Sequence, residues 1–226
     1  TRELEPVSVA DMFAAQGRFV LIGAFVPLAS FALFHLVTIF PLSWVTLFSD
    51  RSSGSFLLVQ CAGAVVAAAG IVLSGLIADR IGRRPLLAFC AFLIALFSAV
   101  TPFLLGGNSV GQTAFILLGF GLLGLSFGQA AGAVSSNFSS QYRYTGAALT
   151  SDLSWLTGAG FAPLVALGLS SKFGLGWVSV YLLSGAVCTL VALLFNKLET
   201  QESSGKSIAP AAGSRGRGRE SMSRAH

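Results

Sequence analysis

"GLIADRIGRR", Gly75–Arg84, carries three arginines and an aspartate in a chain of 226 residues of which only 10% are charged. Apolar runs flank it on both sides. Overall 54% of residues are hydrophobic and mean hydropathy is +0.79, whereas a soluble domain carries roughly 25% charged residues and about 45–50% apolar ones. Too little charge remains to cover a water-facing surface. The apolar residues fall in blocks of about 20, the length a helix needs to cross a hydrocarbon core of roughly 30 Å. They are continuous rather than alternating, which excludes the short dyad-patterned strands of a β-barrel. The chain is therefore expected to be an all-α integral membrane protein.

Six spans can be placed, at about Phe19–Phe40 (closed by Pro41), Phe56–Ala78, Leu86–Leu105, Thr113–Ser135, Gly146–Leu169 and Val178–Phe195. Pro27, Pro163 and the "GAGFAP" segment are expected to bend their helices. Short linkers make consecutive helices antiparallel neighbours. Arg2, Arg18, Arg80, Arg83, Arg84, Arg143 and Lys197 fall on one side, and Arg51 and Lys172 on the other. Basic loops stay in the cytoplasm, so both termini and the Gly75–Arg84 loop are expected there. This divides the chain into a linker at 1–18, a six-helix bundle at 19–196 and a basic tail at 197–226. From Glu199 onward the tail has no apolar periodicity and is expected to be disordered; its arginines could also hold it against anionic lipid. The opening is polar and has no initiator Met, as in the middle of a longer polypeptide.

Some function classes drop out. The net charge of +5 sits beside spans or in the tail, as a basic cytoplasmic face would, so no nucleic-acid partner is expected. Cys61, Cys90 and Cys188 lie in three different apolar blocks without metal-ligand spacing. With no nucleophile motif and no phosphate-binding glycine loop followed by Lys, the sequence offers no catalytic residue, metal site or cofactor, and an enzyme is not expected.

Ionisable groups inside spans are costly unless they face a cavity or a partner. His35, in "FALFHLVTIF", is either a structural imidazole satisfied by a backbone carbonyl or a proton-coupling or substrate residue. Asp152, about two turns into the fifth span, is either held by the helix dipole or set in a cavity or gate. Gln60, Gln129, Asn137 and Trp155 can contact a polar ligand or simply join helices. Gly124, Gly128 and Gly132, each four residues apart, mark a face of the fourth span suited to close helix packing.

Read as Gly75-x-x-x-Asp79-Arg80-x-Gly82-Arg83-Arg84, the opening stretch resembles the cytoplasmic loop signature of the major facilitator superfamily, G-x-x-x-D-R-x-G-R-R, between the second and third spans of a six-helix half. "YRYTGAALTSDLSWLTGAGFAPLVA", Tyr142–Ala166, resembles the tenth-to-eleventh helix junction of the metabolite:proton symporter group. The fourth span lacks the Arg and Glu usual in that group's first half. The resemblance, over about Val20–Phe195, implies a C-terminal six-helix half of a multi-pass inner-membrane symporter. Its partners would be a small polar metabolite (an organic acid or zwitterion), protons, the bilayer and an N-terminal six-helix half. It also implies that Gly75, Asp79, Arg80, Gly82, Arg83 and Arg84 form a latch that breaks as the halves rock, with Asp79 pairing with Arg83 or a neighbouring helix N-terminus. Asp152 departs from the group, whose members tend to carry an uncharged amide nearby. The alternative is a truncated or non-transporting six-helix protein that needs a partner half.

Overall fold

A computed structural model of the chain describes residues 9–135, 138 and 143–208. Nine α-helices are found among them: α1 (Val9–Phe25), α2 (Leu28–Thr38), α3 (Phe40–Phe48), α4 (Ser53–Ile81), α5 (Arg83–Leu105), α6 (Ser109–Ser135), α7 (Arg143–Trp155), α8 (Ala162–Phe173) and α9 (Leu175–Ile208). A π-helical turn, Leu156–Gly160, joins α7 to α8. Six stretches are long and apolar enough to cross a membrane: Val20–Phe48, Ser53–Ile81, Arg83–Leu105, Ser109–Ala130, Tyr144–Phe173 and Leu175–Phe195. They correspond to the six expected spans, but two are assembled from broken helices.

The first span is one of these. Pro41 was expected to close it, yet helix continues to Phe48. Pro41 lies in the opening turn of α3, where a missing N–H costs nothing within the new helix. It does deprive the Val37 carbonyl of its usual donor four residues on. Gln60 from α4 fills that gap, its Nε2 donating to Val37 O at 3.1 Å and Thr38 O at 2.8 Å. At the other break, between α1 and α2, Thr189 of α9 enters the opened ladder. Its Oγ1 accepts from the Ala29 N–H at 2.9 Å and donates to Phe25 O at 3.2 Å. Ser154 Oγ donates to Ala24 O at 2.6 Å. Helix breaks at membrane depth persist where neighbouring side chains satisfy the freed backbone groups in this way.

α2 sits at the centre, packed on α6, α9 and α8, and its Ala32, Leu33, Leu36 and Val37 belong to the main apolar core with Phe56, Phe115 and Ile116. α4 lies along α6. There the glycine face does what its spacing implies: a Cβ on Gly70 would lie 3.3 Å from the Gly124 Cα, and a Cβ on Gly124 would run into the Ala67 backbone. The remaining α4 surface, including Leu58, Val65 and Val72, is exposed and apolar, as a surface bathed in hydrocarbon requires. At one end of the bundle the Arg51 guanidinium donates to Ser109 O at 3.0 Å and Thr113 Oγ1 at 3.2 Å, and lies 5.3 Å from the Phe56 ring centroid. This ties the α3–α4 connection to the start of α6.

Helix begins at Val9, inside the segment read as a linker at 1–18. It ends at Ile208, beyond the boundary drawn at 197, because α9 carries on past its apolar portion. Residues 209–226 of the basic tail lie outside the described residues.

Candidate substrate site between the first and fifth spans

The sequence "FALFH" puts Phe31, Phe34 and His35 at i, i+3 and i+4 on α2, hence on one helix face. Asp152 and Trp155, three apart on α7, are likewise neighbours. The π-helical turn after Trp155 brings the two faces together. It is wider than an α turn, and Gly158 within it packs so closely on α2 that a Cβ would meet Leu28 Cδ1 at 2.8 Å and Phe31 Cβ at 3.3 Å. Trp155 thereby stacks on Phe31, with ring centroids 4.6 Å apart and planes 27° apart. His35 meets the indole edge-on at 5.8 Å and 84°. Phe34 and Phe127 complete the aromatic cluster, 5.5 and 6.3 Å from Trp155.

His35, Asp152, Trp155, Leu156 and Gly160 line an open cavity of about 350 Å³. The Asp152 side chain is exposed. His35 Nδ1 is buried with the Phe31 carbonyl as its backbone neighbour, but makes no well-formed hydrogen bond among the described residues. Phe34 and Phe127 also line a second hollow of about 230 Å³, walled by Ala64, Ala67, Ala68 and Phe120 and almost wholly apolar.

Of the residues named from sequence, His35, Asp152 and Trp155 are thus brought together. Gln60 and Gln129 are not. Gln60 is committed to the α2–α3 break, and Gln129 Nε2 donates to Ser74 Oγ at 3.0 Å in the buried α4–α6 seam. Both are interhelical contacts. Asn137 lies outside the described residues. Phe31 and Phe34 were not singled out from the sequence, although their helical spacing with His35 is the signal that marks them, whereas Phe127 belongs to the site only through packing.

The Gly75–Arg84 loop lies elsewhere. Gly82 terminates α4 and starts α5 with φ of +90°, a backbone region that favours glycine, and its N–H donates to Ala78 O at 2.8 Å. Asp79, Arg80 and Arg83 are exposed. No Asp79–Arg83 ion pair forms among the described residues. The Arg83 guanidinium instead lies over Gly132 of α6, in space that a Cβ would take.

The fold and site define a polytopic helical membrane protein whose bundle carries a cavity lined by His35, Asp152 and Trp155 between broken spans. Residues 19–211 match the family described as sugar (and other) transporter. The chain is 35% identical over 194 residues, 83% of its length, to the inner membrane metabolite transport protein YhjE of Escherichia coli strain K12. It is 30% identical over 204 residues, 85% of its length, to a Haemophilus influenzae protein named for metabolite transport. The chain spans 44% and 46% of those two relatives, respectively. It belongs to the sugar (and other) transporter family of the major facilitator superfamily, a family of transporters rather than enzymes.

Proposed function

We propose that this chain is one six-helix half, the C-terminal one, of an inner-membrane secondary transporter that moves a small polar metabolite together with protons. The observation that carries this reading is the cavity where His35, Asp152 and Trp155 converge between two broken spans. Ionisable groups in a spanning region mark substrate or proton paths. Transporters of this architecture bind substrate near mid-membrane, beside interrupted helices, and expose it alternately as two halves rock. In this reading Asp152 and Trp155 contact the substrate and His35 carries the coupled proton. The Gly75–Arg84 loop lies on the cytoplasmic side, where it latches this half against the other.

The test uses proteoliposomes containing the complete transporter and a panel of labelled organic acids and betaines, with and without an inwardly directed proton gradient. At least one compound is expected to accumulate saturably only when the gradient is present. Gradient-independent behaviour across the whole panel would overturn the symport reading.

A further inference from the structure

We infer that Asp152 makes this cavity selective for a substrate bearing an ammonium group, a cation or a zwitterion, over a purely anionic acid; this rests on the transport reading above. Among the described residues that line the cavity, Asp152 is the one carboxylate and none is Lys or Arg. The neighbouring indole of Trp155 has one face covered by Phe31 and still lines the cavity. A carboxylate beside an indole is the chemistry that holds an organic cation, by charge and by cation–π attraction. A ligand carrying only carboxylates would bring like charge against Asp152, and among the described lining residues only a protonated His35 would offset it. Repulsion of the wrong ligand is as much a source of selectivity as attraction of the right one. His35, edge-on to the same indole, leaves a zwitterion's carboxylate a neutral or protonated imidazole to face.

The experiment is equilibrium binding of choline, glycine betaine and succinate to the purified complete transporter, by isothermal calorimetry. The parent protein is compared with Asp152→Asn and Asp152→Glu. The exposed side chain makes both variants compatible with folding, and a thermal melt checks that. Choline or glycine betaine is expected to bind at least about tenfold more tightly than succinate, a difference in the range that one charge and one ring supply. Asp152→Asn is expected to remove most of that preference, and Asp152→Glu to keep it. The inference is overturned if neither ammonium probe binds, if succinate binds as tightly as they do, or if Asp152→Asn leaves the ratio within about threefold of the parent. Uptake separates this from the parent reading. Ammonium probes that bind but never accumulate in response to the gradient would remove the symport and leave the site chemistry standing. Gradient-driven succinate uptake without ammonium binding would do the reverse.

Discussion

Pro27 and Pro41 each take a backbone donor out of the first span, and the groups that compensate come from other helices. Gln60 serves the carbonyls before Pro41, and Thr189 bridges the Ala29 N–H and Phe25 carbonyl beside Pro27. Removing such a partner leaves a buried polar group unpaired, which costs about 1–3 kcal/mol in soluble proteins and somewhat less between membrane helices. Thr189→Val and Gln60→Leu are therefore each expected to destabilise the protein by about 1–2 kcal/mol. Thermal unfolding followed by a thiol-reactive dye reads this directly: Cys90 is buried, and replacing the exposed Cys61 and Cys188 by Ser removes the background. An unchanged unfolding curve for both variants would show that the breaks hold without these bonds. His35 makes a different prediction. If it carries the coupled proton, His35→Gln should lower gradient-driven accumulation by at least about tenfold, within the usual contribution of one acid–base group. Substrate exchange across the same membrane without a gradient should persist. Equal loss of both activities would assign His35 to substrate binding instead.

At the scale of elements, the α4–α6 seam is a close backbone approach. Hydrocarbon does not drive helices together, so close backbone approach and buried hydrogen bonds must do so. Gly70 and Gly124 permit the approach, and Gln129 with Ser74 supplies a bond within it. A methyl on Gly124 would meet the backbone of Ala67, which cannot swing aside as a side-chain tip can. Gly124→Ala should therefore cost about 1–3 kcal/mol by overpacking, more than Gly121→Ala, whose added Cβ would lie 3.6 Å from the Val66 side chain. Comparable melting of the two variants would argue against a rigid seam. The stripe at Gly124, Gly128 and Gly132 was legible as a packing face from its spacing of four. Which helix it met was not, because several spans present small residues and only the three-dimensional arrangement sets Gly124 and Gly128 against α4 and Gly132 against Arg83 of α5. The fifth span's bend was likewise foreseen at "GAGFAP", while its form, a π-helical turn that swings Trp155 onto Phe31, follows from the fit of Gly158 against α2.

For the molecule as a whole, the proposal that the chain is one half of a transporter makes its coupling to a second half decisive. Arg83 reaches over Gly132, so the signature loop is anchored to the end of α6 as well as to its own turn at Gly82. In the latch reading, Asp79 remains available to the opposing half. Asp79→Asn in the complete protein should then leave thermal stability unchanged, because the side chain is exposed. It should also lower transport by about tenfold, within the usual range of coupling energies between conformational states. Unchanged transport together with unchanged thiol accessibility on the cytoplasmic side would sink the latch. Gly132→Ala displaces a flexible arginine side chain rather than backbone, so it too should spare folding while reproducing the transport defect.

Span number, helical class and family were determined by the sequence alone, because hydrophobic block length and the charge and glycine spacing of Gly75–Arg84 are local properties. The candidate residues His35, Asp152 and Trp155 were also visible there, since ionisable and amphipathic groups stand out against hydrocarbon-compatible surroundings. Only the tertiary structure decided that these three share a cavity while Gln60 and Gln129 do not. Each amide's role depends on which polar group of another helix lies within about 3 Å, the reach of a hydrogen bond. That distance is set by packing between segments far apart in the chain, and so is the continuation of the first span through Pro41.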